Sequence, residues 1–284
     1  MKLQKALRAP SGKFHLNDIP TDATPGVKDR DDAEQQMAEL QDQIATRQED
    51  LFINDRRSVL VVLQGMDASG KDGAVRKVFS RVNPAGVEVT SFKVPTSLEQ
   101  HHDFLWRIHA AVPPHGKIGI FNRSHYEDVI VVRVNSEKLL TTEQQADKDL
   151  WKWRFKLING FEEMLTKSGM VVLKFMLHIS RDEQLERFKS RQDHPEKNWK
   201  LNWGDFEERK HWDRYMECYE DCIEQTSTDY APWYIIPADK KWYRNYAIAT
   251  VLADTLNSMK LPPPAVTDPA LITTDIDQPR SERD

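Results

Sequence analysis

Cysteine is scarce: Cys218 and Cys222 are the only two in 284 residues, which excludes the disulfide framework of a small secreted domain. They stand four apart in a helical pattern with His211 on roughly the same face. With no fourth ligand nearby, they are expected to be small buried side chains rather than a metal site. Glycine and proline, 11 and 15 residues, are too few for collagen-like or low-complexity sequence. Long apolar runs are missing as well: Ser58 to Leu63 is among the longest, far short of the roughly 18 residues of a membrane span. The start of the chain alternates basic, polar and apolar positions and carries no apolar signal-peptide core, so a cytoplasmic protein without membrane association is expected. Excess positive charge is also absent. Lys and Arg number 40 against 45 Asp and Glu, a net charge of −5, which argues against a uniformly basic nucleic-acid-binding surface and leaves any polyanion to a local basic site.

What is present suffices for a core, with 39% hydrophobic and 9% aromatic residues. Residues 1–30 hold Pro10, Gly12, Pro20, Pro25 and Gly26 among mixed charges and read as an irregular arm on the body. Asp31 to Asn54 has the apolar spacing of an amphipathic surface helix. The period then changes: Val59 to Leu63 is a continuous β-favouring run, as in a parallel strand buried on both faces. Further strands are expected at Val87 to Val94, Ile118 to Phe121, Val171 to Ile179 and Trp233 to Ile236. Helices are expected at Lys71 to Val82, at His101 to Val112 behind a Ser97/Gln100 capping box, at Thr142 to Lys167, at Ser180 to about Gln192 behind a Ser180/Glu183 capping box, at Asp205 to Gln225 and at Lys240 to Met259. The alternation gives an α/β, P-loop kinase-like, three-layer α/β/α fold with a central parallel sheet of about five strands. Residues 31–260 form one kinase domain in this scheme, and 261–284 a loosely held tail.

Gly65-Met-Asp-Ala-Ser-Gly-Lys-Asp-Gly73 fits G-x-x-x-x-G-K directly after a buried strand and before a helix, the context a phosphate loop requires. Backbone N–H groups of Gly65, Ala68, Ser69, Gly70 and Gly73, with the helix N-terminus, would form an anion nest, and Lys71 would aim an ammonium at phosphoryl oxygens. Standard loops follow the Lys with Ser or Thr to ligate Mg²⁺, but Asp72 follows here and Asp67 sits inside the loop. A carboxylate inside a phosphate cradle repels phosphate unless a cation lies between them, so Asp67 is a candidate for Mg²⁺ binding or for activating the acceptor. Asp72 is a first-turn carboxylate favoured by the helix dipole.

The strand Ile118 to Phe121 runs into Asn122-Arg-Ser-His-Tyr-Glu-Asp128, at the strand end where open α/β sheets bind ligands. Arg123 is placed to face phosphate, and Asp128 is the better Mg²⁺ ligand there. Downstream, Arg187 and Arg191 are four apart on one helical face and could reach one anion, within a basic hairpin at about 181–210 placed to act as a lid. The tryptophans and tyrosines from Trp199 to Tyr246 are expected to be core packing.

Together these blocks, with Phe92-Lys-Val-Pro-Thr96, Ser227 to Tyr234 and Lys241-Trp-Tyr-Arg244, resemble the second family of polyphosphate kinases over most of the chain, from about Leu16 to Met259. The resemblance implies transfer of phosphate between inorganic polyphosphate and nucleotides, with Asp67, Lys71, Asp128, Arg187 and Arg191 in catalysis. It adds Lys93, Thr96, Asn122, Arg123 and Glu127 to the loop residues, Asp72 included, as phosphate- and nucleotide-binding positions. Mg²⁺, with Mn²⁺ as a substitute, is the implied cofactor, held by Asp67 and Asp128. Diphosphate-specific members read D-R-S-W-Y-N where this chain reads Asn122-Arg-Ser-His-Tyr-Glu127, which resembles the subgroup that phosphorylates both AMP and ADP. Adenine nucleotides, with guanine nucleotides as further acceptors, and a homo-oligomer are the implied partners. An ATP-dependent nucleoside or nucleotide kinase and a non-catalytic nucleotide or polyphosphate sensor are the rival functions.

Overall fold

Strand β1 (Ser58–Gln64) is buried along its whole length, the outcome that its uninterrupted Val/Leu run dictates when both sheet faces are covered. The computed structural model describes residues 2–140, 148–261 and Ile272. Around β1 lie β2 (Val87–Ser91), β3 (Ile118–Asn122), β4 (Met170–His178) and β5 (Trp233–Pro237), in the order β2-β3-β1-β4-β5. Every pairing is parallel. The fold class expected from the strand and helix alternation is the one observed.

The helices are α1 (Lys2–Leu7), α2 (Arg30–Asn54), α3 (Lys71–Val78), α4 (Ser97–Gln100), α5 (Trp106–Ala110), α6 (Val131–Val134), α7 (Ser136–Leu139), α8 (Lys148–Lys167), α9 (Arg181–Asp193), α10 (Trp203–Lys210), α11 (Trp212–Thr226) and α12 (Lys241–Ser258). Asp29 caps α2 by accepting from the Asp32 N–H, and the helix buries Ala33, Met37, Gln41, Ile44, Gln48 and Leu51 at three- to four-residue spacing. It packs on α12, which in turn reaches α3 and so lies behind the phosphate loop. α8 covers β4 and packs against α11.

Several boundaries differ from expectation for local reasons. The arm is not wholly irregular: α1 occupies its start, Arg8 bridges Tyr234, and Ala9 donates to the Trp233 carbonyl at 2.9 Å. This covers backbone groups on the outer edge of β5. The capping box lies one residue earlier than expected, on Thr96 and Glu99. The single helix expected after it is interrupted where the Asp103 carboxylate accepts from the Leu105 N–H at 2.9 Å, an alternative the backbone takes over the helical ladder. The expected helix from Asp205 to Gln225 breaks at His211 into α10 and α11, α3 stops at Val78, and β2 stops at Ser91. The hairpin expected at 181–210 consists of α9, a 3₁₀ turn at Pro195–Lys200 and α10. Of the expected helix from Thr142, residues 141–147 lie outside the described residues, as does the tail apart from Leu261 and Ile272.

Candidate active site

The phosphate loop leaves the carboxyl end of β1 through Gly65 and re-enters helix at Lys71, with Gly70 as the N-cap of α3. Gly65 has φ +145° and Gly70 φ +100°, backbone that only glycine adopts readily. Space imposes the same choice. A Cβ on Gly65 would lie 2.7 Å from the Leu177 carbonyl oxygen, and one on Gly70 1.8 Å from Arg244 Nη1. Lys71 Nζ is buried and donates to the Gly65 and Met66 carbonyls at 2.6 and 3.3 Å. Burial pulls its pKa below the ordinary lysine value, against the Asp67 carboxylate.

Asp67 Oδ1 accepts from Arg123 Nη2 at 2.7 Å. Arg123 holds this aim from a left-handed backbone, φ +64°, an unfavourable state for a side chain with a Cβ. Asp72, on the first turn of α3, accepts from Asn122 Nδ2 at 2.5 Å, so Asn122 ties the end of β3 to α3. The 3₁₀ turn His125–Asp128 sends its two acids different ways. Burial raises the pKa of Glu127 while Arg123 and Lys71 lower it and Asp67 raises it, so Glu127 belongs to the charges around the loop. Burial pushes Asp128 up to about 6, opposed by Arg154 and Arg107. Asp67 and Asp128 were expected as a metal-binding pair, but Glu127 is the acid of this turn whose charge acts on Asp67's surroundings.

The two arginines expected to act from the hairpin also part company. Arg187, 7% exposed, donates through Nε to Glu183, through Nη1 to the Ala68 and Ser69 carbonyls at 2.8 and 3.0 Å, and through Nη2 to the Ala238 and Asp239 carbonyls at 2.6 and 2.9 Å. A guanidinium has five N–H donors, and these contacts engage all of them. Arg191 reaches the Lys200 carbonyl and Asp205 at 3.3 and 3.2 Å. The structure therefore does not converge the two on one anion. Thr96 spends its hydroxyl on capping α4, and Lys93 is exposed with its carbonyl taken by Arg107.

Several residues enter that no local pattern marked. Gln184 donates to the Asp67 carbonyl at 2.9 Å. Asp205, its pKa raised by burial and by Asp67, and Tyr219, raised by burial, Glu127 and Asp67, bring α10 and α11 to the loop. Arg244 donates to the Ser69 carbonyl at 3.2 Å, and burial beside Arg187 lowers its pKa to about 10. Only Arg244 had any sequence signal, as the end of a matched block. Among the aromatics, Trp212, Trp233, Tyr215, Tyr219, Tyr234, Tyr243 and Tyr246 are core as expected, but Trp199 and Trp203 are 77% and 85% exposed on the hairpin. Cys218 and Cys222 are buried on α11, while His211 is exposed.

Among the described residues no group of three His, Cys, Asp or Glu is arranged to hold a metal ion. A hard cation beside phosphates takes one or two carboxylates and completes its shell with phosphate oxygens and water. Asp67 and Glu127 supply such carboxylates. Ser69 Oγ and Gln64 Oε1 are buried oxygens without a hydrogen-bond partner, and the donor set is oxygen throughout, so the residues fit a divalent cation.

The polyphosphate kinase 2 (PPK2) family model matches residues 27–263. The chain is 48% identical over 89% of its length to the AMP/ADP-polyphosphate phosphotransferase of Meiothermus ruber, covering 92% of that protein. It is 40% identical over 94% of its length to the ADP-polyphosphate phosphotransferase of Rhodopseudomonas palustris, covering 94% of that one. The crystal structure of polyphosphate kinase 2 from Arthrobacter aurescens superposes with a TM-score of 0.89 at 39% identity, covering 95% of both chains. A phosphate loop that carries Asp67, is held by Arg187 and Arg244 and has Arg123 paired to Asp67 thus stands in a chain that belongs to the polyphosphate kinase 2 family.

Proposed function

We propose that this chain transfers the terminal phosphoryl group of inorganic polyphosphate to AMP and ADP, forming ADP and ATP, with Mg²⁺ as the working cation and Mn²⁺ as a substitute. One observation carries the proposal: the cations Lys71, in the loop, and Arg123, after β3, are matched by the carboxylates Asp67 and Glu127, so these four side chains bring no net charge. Two substrates that are both polyanions must meet there. A binder of anions gains nothing from the two acids, whereas a phosphoryl-transfer site uses them to hold a divalent cation between phosphates.

A terminal phosphate oxygen of the nucleotide attacks the terminal phosphorus of polyphosphate. The bond to the bridging oxygen breaks, and the chain leaves one unit shorter, carrying that electron pair. Loop N–H groups and Lys71 hold the transferring group, and Asp67 and Glu127 are the proposed cation ligands. When bound by those carboxylates, Mg²⁺ would supply charge neutralisation to the reacting phosphates. Arg123 and Gln184 fix Asp67 from its side chain and its carbonyl. Asp128, between Arg107 and Arg154, belongs to the acceptor side, with Arg191 and the hairpin excluding water over the phosphates. The same proposal extends to guanine acceptors, a cytoplasmic location and a homo-oligomer.

The test incubates the chain with AMP or ADP and polyphosphate as sole donor, with Mg²⁺, with Mn²⁺ and with chelator. ADP and ATP are expected with either metal and neither product with chelator. Product formation from ATP as donor alone would instead establish the ATP-dependent rival, and binding without turnover the sensor.

A further inference from the structure

Behind the turn that presents Glu127 lies a closed polar network with no solvent access. Tyr126, Glu162 on α8 and Lys174 on β4 are all 0% exposed. Tyr126 donates its hydroxyl proton to Glu162 Oε1 at 2.7 Å and accepts from Lys174 Nζ at 2.9 Å. Lys174 also donates to Glu162 Oε2 at 2.6 Å and to the Thr226 carbonyl at 2.7 Å, which uses its three protons. Burial pushes the Glu162 carboxyl up, but the Lys174 ammonium and His125 outweigh it and leave the pKa below the usual value. His125, also fully buried, sets Nε2 3.4 Å from the same carboxylate. The Tyr126 ring packs edge-on to Trp233 at 4.7 Å.

A buried ion pair is weak evidence for stability, since well-packed apolar residues of equal volume do as well or better. What it does provide is direction, because each donor has one place to go. The turn needs direction: it is a single four-residue 3₁₀ turn capped by Ser124, whose Oγ accepts from Tyr126 N–H at 3.2 Å and from Gln64 Nε2 at 3.0 Å. Its first two residues point into the core, and the next two are the acids. With the Tyr126 side chain pinned at its far end, the backbone of Glu127 is set in place.

We infer that Tyr126, seated on the Glu162–Lys174 pair, is a positioning residue that fixes the backbone from which the Glu127 carboxylate joins the charges around the phosphate loop. This rests on the role of Glu127 proposed above. Polyphosphate-dependent ADP formation is measured for Tyr126→Phe, Glu127→Gln and the double variant, with thermal unfolding of each. Tyr126→Phe removes one oxygen and should lower kcat about tenfold with both KM values within about twofold, as a displaced catalytic group does. In the Glu127→Gln background the same change should cost less than about twofold, because its effect is already lost. Equal losses in both backgrounds would overturn the inference and leave Tyr126 a structural residue. Wild-type turnover of Glu127→Gln alone would overturn the proposed role of Glu127, and the inference with it. If Tyr126→Phe does not fold, Glu162→Gln carries the same cycle, and loss of folding in both overturns the inference, since the network would then hold the fold and not the backbone of Glu127.

Discussion

Replacing Arg187 by Ala separates a brace from a substrate contact. Its guanidinium joins the phosphate loop, through the Ala68 and Ser69 carbonyls, to the β5–α12 connection, through Ala238 and Asp239. Truncation leaves the Ala68, Ala238 and Asp239 carbonyls without that donor, while Ser69 keeps Arg244. Each buried acceptor left unpaired costs about 1–3 kcal/mol. Allowing for water entering the space, the loss is about 3–5 kcal/mol, which for a chain of this size lowers Tm by on the order of 10 °C. Arg187→Lys should recover only a minor part, because one ammonium cannot span four carbonyls on two sides. The assay is thermal unfolding in parallel with turnover at varied polyphosphate. A Tm within about 2 °C of wild type, with KM for polyphosphate raised, would refute the brace and return Arg187 to the phosphate-contacting role expected from its sequence.

Lys71→Ala should lower kcat by at least roughly a hundredfold with the folded state intact, since the lost cation acts on charge that develops during transfer; near-normal steady-state turnover would remove the phosphate-loop assignment. Gly70→Ala places a methyl 1.8 Å from Arg244 Nη1 at φ +100°, so Arg244 must leave Ser69; a Tm fall of several degrees and a loss of activity are expected, and wild-type values of both would contradict the packing. His178 bonds the arm carbonyls of Leu16 and Ile19 at 3.0 and 3.1 Å, and burial holds its pKa below the ordinary value. The unfolded chain therefore binds more protons below about pH 6.5, and this part of the stability is complete above that pH and lost as pH falls toward the folded-state pKa. Tm measured from pH 5 to 7.5 should fall less steeply with acid in His178→Gln than in wild type, and parallel curves would show that His178 does not couple the arm to pH.

The fold was legible where one physical rule governed a long segment. Val59 to Leu63 can only be a strand covered on both faces, and its neighbours follow from strand and helix alternation. The misses lie where two local solutions compete within a residue or two. Thr96-x-x-Glu99 and Ser97-x-x-Gln100 both satisfy the capping-box pattern, and the structure takes the first, whose carboxylate accepts the Thr96 N–H at 2.7 Å. Nothing in the helical pattern around Asp103 announces that its side chain will compete for the backbone. At the site the loop was legible because its chemistry is local. Asp205, Tyr219, Gln184 and Arg244 were not, because what brings them to the loop is a contact across the fold. Arg187 and Arg191 share a helix face in the sequence and have different fates in the structure. Trp203 and Trp212, both read as core, also differ, one exposed and one buried.

A net charge of −5 sits oddly with a polyanionic donor until the charges are followed to their places. Lys197 and Lys241 lie beside Arg187 and Arg244, close enough that burial and these three cations together lower the pKa of Lys241. Arg187 and Arg244 face inward, donating to loop and β5–α12 carbonyls and, from Arg187, to the Glu183 carboxylate, while Lys241 is exposed and Lys197 half-buried. The two arginines thus hold the loop from behind, Arg187 with one N–H on the Glu183 carboxylate and Arg244 on the Ser69 carbonyl. Where field lines converge in a cleft, local density of charge decides attraction, and distant surface acids contribute little beyond a Debye length of about 8 Å at physiological salt. The net charge of the whole chain therefore does not set the charge beside the loop, where Lys197, Lys241, Arg187 and Arg244 gather.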